Sequence, residues 1–315
     1  MNKRRSFITG IKSISLSKRE KQFLKKYKPW GIILFSRNIK SITQTKKLTD
    51  VIKKIFRDKN YPILIDQEGG RVNRLRKFFN NDPLTGEYFG KLYSKDENKF
   101  NNYYKIFINK TSYLLKLIGV NINTVPVLDL RIKGASNIIG DRSFSNNPKL
   151  VSTIGNTCIQ NFHTNGIATV IKHIPGHGLA NVDSHTLTPI VRKKLPQLIK
   201  NDFLAFTNKK SFLAMTAHII FEDIDSHNTA THSKKVISLI RNNIKFKNIL
   251  MSDDISMKSL KHSTKQNTIK AFSAGCNLVL HCNGNYKEMI DVAQNSPLIS
   301  TFIIKKTSQI YKILS

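Results

Sequence analysis

The chain has 315 residues, and 52 Lys and Arg against 20 Asp and Glu give it a formal net charge of +32. Hydrophobic residues make up 40% of it, enough for a packed core, so the charge does not signal disorder. The basic residues are spread along the whole length without a Lys/Arg block, zinc-finger spacing or basic-aromatic ribonucleoprotein motif, so nucleic acid is not an expected partner. The sparse cysteines Cys158, Cys276 and Cys282 exclude a disulfide-stapled fold, and no apolar run approaches the roughly 18–20 residues of a membrane-spanning helix.

At the N-terminus, Arg4-Arg5-Ser6-Phe7-Ile8 resembles a twin-arginine export signal. The apolar stretch after it is broken by Thr9 and Gly10 and ended by Lys12, and no small-residue cleavage site follows, so a mature cytoplasmic start is expected. Ser17 to Tyr27 opens with Ser17-x-x-Glu20, the capping-box pattern of a helix start. Further helices are predicted over Ile42 to Phe56, Asn98 to Leu117 and Asn147 to Thr164. Between them run short apolar, β-branched segments: Gly31–Phe35, Pro62–Ile65, Val120–Leu128, Ile167–Ile171, Phe212–Ala217, Ile249–Met251 and Leu278–Leu280. Each suits a strand buried on both faces. This alternation predicts parallel βαβ units closed into a single α/β domain over 1–315, a (β/α)8 TIM-type barrel. No linker, low-complexity stretch or internal repeat interrupts it.

Polar groups follow each predicted strand: Arg37-Asn38, Asp66-Gln67-Glu68, Asp129, Lys172-His173, His218, Ser252-Asp253-Asp254, then His281 and Asn283. In such a barrel the C-terminal strand ends converge on the face that carries the active site. With only 20 acids in the chain, their grouping in and beside these motifs predicts a polar pocket with two or more carboxylates.

Three strings carry the chemistry. Asp66-Gln67-Glu68-Gly69-Gly70-Arg71-Val72-Asn73-Arg74 combines acceptors for sugar hydroxyls with planar donor forks around a tight Gly-Gly turn, though a structural turn with a surface ion pair fits it too. Lys172-His173-Ile174-Pro175-Gly176-His177-Gly178 leads to Asp183-Ser184-His185. His173 and His177 have the i, i+4 spacing of a metal-binding helix, but Pro175 and Gly176 argue against that helix, and no metal or cofactor is expected. Asp183 and His185 suit a dyad in which a carboxylate fixes the imidazole tautomer and raises its basicity, or else are a surface pair in a loop. Ser252-Asp253-Asp254 places carboxylates at a strand end, as a nucleophile toward an anomeric carbon or as a helix cap.

Together with Gly31-Ile32-Ile33-Leu34-Phe35-Ser36-Arg37-Asn38, Asn137-Ile138-Ile139-Gly140-Asp141-Arg142-Ser143-Phe144 and Met215-Thr216-Ala217-His218, these strings resemble the bacterial β-N-acetylhexosaminidases of glycoside hydrolase family 3, in the family's order over roughly residues 8–285. The resemblance is strongest to the single-domain cytoplasmic glucosaminidases of cell-wall recycling. It implies a retaining double displacement without a metal. It makes Asp253 the nucleophile and His185 the acid/base, with Asp183 as its dyad partner. It implies that Asp66, Arg74, Arg142, Lys172 and His173 hold the N-acetylglucosamine unit, with Glu68, Asp129, His218 and Asp254 in support. Leu179-Ala180 departs from the Asp-Thr that many members carry there. The implied substrates are N-acetylglucosaminyl-β-1,4-(anhydro-)N-acetylmuramyl peptides, small molecules acted on by a cytoplasmic monomer. Transfer to phosphate instead of water, or a barrel that binds a polyanion without catalysis, are the alternatives.

Overall fold

The computed structural model describes residues 1, 3–184 and 187–314. Its strands are β1 (Arg5–Gly10), β2 (Pro29–Leu34), β3 (Ile63–Ile65), β4 (Ile122–Asn123), β5 (Ala168–Ile174), β6 (Ile190–Val191), β7 (Leu213–Thr216), β8 (Ile220–Phe221), β9 (Ile249–Asp254) and β10 (Leu278–His281). Its helices are α1 (Lys18–Tyr27), α2 (Ile42–Phe56), α3 (Gly86–Lys95), α4 (Glu97–Leu117), α5 (Pro148–Thr164), α6 (Leu195–Lys200), α7 (Lys234–Asn242), α8 (Thr264–Ala274), α9 (Tyr286–Asn295) and α10 (Thr301–Leu314).

Among the described residues, eight strands close into a barrel in the order β1-β10-β9-β7-β5-β4-β3-β2, every pairing parallel. The predicted (β/α)8 fold is therefore the observed one. One of its strands was unexpected: the arginine-led N-terminal segment is β1. It pairs with β2 on one side and β10 on the other, and Phe7 and Ile8 are fully buried. The predicted strand over Val120–Leu128 contracts to two residues. The chain beyond it runs through the cis peptide Val125-Pro126 and forms only a bridge from Val127 to Lys172.

Side-chain alternation divides the apolar residues into two cores. Ile8, Ile33, Leu64, Val170, Met215, Met251 and Leu280 fill the barrel, while Phe7, Ile32, Leu34, Ile171 and Val279 face the helices. α10 lies across the N-terminal end. Its Ile303 and Ile310 join the barrel cluster, and Trp30 Nε1 donates to Thr307 Oγ1 at 2.9 Å.

Local chemistry sets the helix starts. Ser17 Oγ accepts from the Glu20 N–H at 3.2 Å and the Glu20 carboxylate accepts from the Ser17 N–H at 2.8 Å, the capping box expected of α1. Ser41 caps α2, and Asn147 caps α5 with Pro148 in its first turn. A two-residue parallel ribbon pairs β6, which lies between β5 and β7 in the chain, with β8, which follows β7.

Candidate active site

The C-terminal strand ends surround a cavity of about 460 Å³, within the size range of small-ligand sites. Asp66, Glu68, Arg74, Arg142, Lys172, His173, His177, Asp183 and Asp253 line it, so most of the sequence-predicted site residues meet there. His185 lies outside the described residues. Two register shifts help to aim these side chains. β5 slips by one residue against β7 between Lys172 and Ile174, and β9 slips against β10 between Met251 and Asp254. A bulge breaks strict alternation and re-aims side chains, which is how the adjacent Lys172 and His173 both border the cavity.

Asp66 and Glu68 stand at the centre of a dense charge network. Lys172 Nζ lies 2.6 Å from Glu68 Oε1, 3.2 Å from Asp66 Oδ1 and 2.9 Å from Thr124 Oγ1. The Thr124 hydroxyl in turn donates to Asp66. Arg142 grips Glu68 with a two-pronged fork, Nε and Nη2 at 2.8 and 2.9 Å, and spends Nη1 on the Ile138 carbonyl. Arg142 thus braces Glu68 as well as bordering the cavity. Burial pushes both carboxyls up, but the cations outweigh it. Glu68 is brought down to about 2 by Arg142 and Lys172, and Asp66 falls well below the ordinary aspartate value through Lys172, Arg74 and the Thr124 hydroxyl. Both are ionised at any physiological pH and can accept hydroxyl hydrogen bonds. Arg74 reaches Asp66 at 3.4 Å and lies over the Phe35 ring, while its buried Nε has no hydrogen-bond partner. The Gly-Gly turn behaves as expected: Gly69 and Gly70 have φ of +108° and +56°, which glycine adopts without strain.

Asp253 is held differently. Its side chain is 18% exposed, enough to meet a ligand. Oδ1 accepts from the Asp254 N–H at 2.7 Å, and His173 Nε2 lies 3.9 Å from Oδ2. Burial raises the carboxyl's pKa, but His173, His218, the Asp254 N–H and Lys172 bring it below the ordinary value, so it stands as a partly exposed anion. Asp254 turns away, accepting from the Ser256 hydroxyl and the Ser256 and Cys282 N–H groups. Of the two carboxylates at this strand end, only Asp253 borders the cavity.

Behind His173 sits Asp129, fully buried. It accepts from the His173 ring Nδ1 at 2.6 Å, the His173 N–H at 3.2 Å and the His177 N–H at 2.7 Å. It therefore fixes the ring orientation that points Nε2 at Asp253. His177 packs edge-on to His173 with ring centroids 5.3 Å apart, and burial together with His173 brings its pKa down to about 4, so it is neutral at pH 7. Among the described residues no three His, Cys, Asp or Glu side chains converge as a metal site would need.

Other polar strand ends do not reach the cavity. His218 is buried against Thr231 Oγ1 and the Asp254 carbonyl, His281 bonds Glu288, and Arg37 donates to the Ile11 and Cys282 carbonyls. They knit the loops of the barrel mouth together. Thr124 is the site residue that sequence reasoning missed, since a threonine just past a two-residue strand carries no signal of its own.

The arrangement offers a partly exposed carboxylate facing a pocket of hydroxyl acceptors and cationic donors, the equipment for opening a glycosidic bond. Comparison with known proteins agrees. The model of the glycosyl hydrolase family 3 N-terminal domain matches residues 7–313. A beta-hexosaminidase of Methylobacillus flagellatus is 31% identical over 258 residues, 80% of this chain and 73% of that protein. NagZ from Neisseria gonorrhoeae, solved with a zinc ion, is similar in structure with a TM-score of 0.87 at 27% identity, covering 98% of this chain and 90% of the other. The same protein in complex with N-trifluoroacetyl-D-glucosamine gives a TM-score of 0.82 at 26% identity, covering 99% and 98%. The chain belongs to glycosyl hydrolase family 3, among its bacterial β-N-acetylhexosaminidases.

Proposed function

We propose that the protein is a retaining exo-β-N-acetylglucosaminidase that releases terminal N-acetylglucosamine from N-acetylglucosaminyl-β-1,4-(anhydro-)N-acetylmuramyl peptides during cytoplasmic cell-wall recycling. The observation that carries the reading is Asp253, an anionic, partly exposed carboxylate that lines the same cavity as Asp66, Arg74 and Lys172. In this reading Asp66, Arg74, Arg142, Lys172 and His173 hold the sugar through its hydroxyl and acetamido groups. His185, paired with Asp183, protonates the glycosidic oxygen as Asp253 attacks the anomeric carbon through an oxocarbenium-like transition state. The aglycone leaves with the proton, and the sugar stays esterified to Asp253. His185 then takes a proton from water, whose oxygen displaces Asp253 and frees N-acetylglucosamine with net retention. Asp183, which borders the cavity, keeps the imidazole in the required tautomer.

Release of 4-nitrophenol from 4-nitrophenyl N-acetyl-β-glucosaminide by the purified protein tests the reading. Asp253→Asn is expected to lower kcat by a factor of about a thousand or more while the protein stays folded. Unchanged turnover in that variant would remove Asp253 from the role. A sugar 1-phosphate product in phosphate buffer would replace hydrolysis with transfer to phosphate.

A further inference from the structure

Ser184 stands in the chain between Asp183 and His185, the proposed acid/base pair. It is only 2% exposed, although it belongs to the loop that joins β5 to β6. Its hydroxyl oxygen lies 3.1 Å from His177 Nε2. His177 is as deeply buried and, like Asp183 and Ser184, lines the catalytic cavity. The steps of the proposed reaction give it no task.

His177 is firmly held. The glycines on either side of it pack too closely for a side chain. A Cβ at Gly176 would lie 2.9 Å from the Asp202 Cβ, and one at Gly178 would lie 2.2 Å from the Leu130 carbonyl oxygen. The His177 N–H donates to Asp129 Oδ1 at 2.7 Å, and its carbonyl accepts from the Ala180 N–H at 3.1 Å. The ring Nδ1 is buried with no hydrogen-bond partner among the described residues. An orphaned buried N–H is a rarer defect than a bare acceptor, which puts the ring proton on Nε2 and makes the neutral ring the donor to Ser184 Oγ. Two more contacts pin the loop on either side of Ser184. The Ala180 carbonyl accepts from the Ser136 N–H at 2.8 Å, and the Thr188 hydroxyl donates to the Ser259 carbonyl at 2.7 Å. Nearer to Ser184, the Leu187 N–H donates to the Asp183 carbonyl at 3.0 Å.

We infer that His177 and Ser184 are positioning residues, and that the hydrogen bond between them anchors the acid/base loop to the Asp129 and His173 pair beside the nucleophile. The inference rests on the function proposed above and adds how its acid/base pair is kept in register with Asp253. Asp129 accepts from the backbone N–H groups of both His173 and His177. One buried carboxylate thus fixes the ring that faces Asp253 and the ring that holds Ser184. Proton delivery is sensitive to displacements of about 1 Å, so losing the anchor weakens protonation of the leaving oxygen and spares the attack by Asp253.

The test compares two substrates in Ser184→Ala: phenyl N-acetyl-β-glucosaminide, whose leaving oxygen needs a proton, and the 2,4-dinitrophenyl glycoside, whose leaving oxygen does not. kcat/KM is expected to fall on the order of tenfold on the first and less than about twofold on the second. Ser184→Thr keeps a hydroxyl and should recover most of the loss. In the double variant His177→Phe/Ser184→Ala the leaving-group-dependent loss should match that of the single variants and not their product, because both remove the same bond. An equal fall on the two glycosides, no fall, or full additivity would overturn the inference. Hydrogen exchange at the Leu187 amide reads the anchor without turnover. It should quicken severalfold in Ser184→Ala and not in Ser184→Thr, and unchanged exchange counts against the anchor. A wild type that cleaves neither glycoside, or a His185→Gln variant whose loss is equal on both, would sink the proposed function instead, and the exchange measurement would still decide the anchor.

Discussion

Replacing Glu68 by glutamine leaves Lys172 and Arg142 facing a neutral amide in a site that water scarcely reaches. The magnitude follows from two directions. Glu68 is brought from 4.5 to about 2 in the folded protein, which at about 1.4 kcal/mol per tenfold in the ionisation constant is about 3.5 kcal/mol. Removing one partner of a buried ion pair costs about 3–5 kcal/mol by an independent route. For a chain of 315 residues an unfolding entropy of about 0.66 kcal/mol/K turns about 3.5 kcal/mol into a fall in Tm of about 5 °C. The pH dependence has a definite sign. A carboxyl depressed by folding contributes its full stability above its unfolded value near 4.5 and loses it as pH falls toward 2. The gap between wild type and Glu68→Gln, measured by scanning calorimetry, should be full at pH 7 and shrink by more than half at pH 3. A Tm within about 1 °C of wild type at pH 7, or a gap that does not narrow in acid, would refute the assigned role of the Glu68, Lys172 and Arg142 cluster.

Asp129→Asn puts an amide N–H₂ where three donors converge, so His173 loses its fixed ring orientation beside Asp253. We expect kcat/KM on a nitrophenyl glucosaminide to fall at least tenfold, with an altered pH profile. Asp202, buried against Gly176 of the loop after β5, has its carboxyl pushed up to about 7 by burial. A folded value above the unfolded one means that its ionisation opposes folding increasingly from about pH 4 to 7. Asp202→Asn should therefore raise Tm by a few degrees at pH 8 and leave it nearly unchanged at pH 4.5, as thermal scans at the two pH values would show. His185→Gln, if His185 is the acid/base, should lower kcat about a hundredfold or more on 4-nitrophenyl N-acetyl-β-glucosaminide. The loss should be much smaller on the 2,4-dinitrophenyl glycoside, whose leaving group needs no proton.

The barrel strands were the most legible part of the fold: the seven predicted apolar segments overlap β2, β3, β4, β5, β7, β9 and β10, because a strand buried on both faces shows as a short apolar run. Among the helices, the Ser17-x-x-Glu20 capping box placed the start of α1 to the residue, because that signal acts locally. β1 was obscured because its charged start reads as a leader. In the structure Arg4 is satisfied by Asp58 and Tyr311, partners more than 50 residues away. The shortening of β4 depends on how Val125-Pro126 packs against β5, which no window of sequence contains. At the site, the rule that strand ends converge brought Asp66, Lys172, His173 and Asp253 together. It did not separate Asp253 from His218 or His281, because that choice depends on bulges and on Thr231 and Glu288 across the fold. The concentration of acids was also a mixed signal. Glu222 and Asp223 are surface partners of Arg192 and Lys194, far from any chemistry.

Closure of the barrel by β1 sets a schedule for synthesis. One edge of β1 can pair with β2 as soon as that strand emerges, but the other needs Val279 and Leu280, some 270 residues later. At about 5–20 residues per second, a ribosome leaves that edge without its partner for about 15–55 s. During that interval Ile8 and its neighbours on β2 and β3 lack the lining that β9 and β10 provide, and α10 has yet to be made. The nascent chain is thus an open, sticky sheet for most of its synthesis.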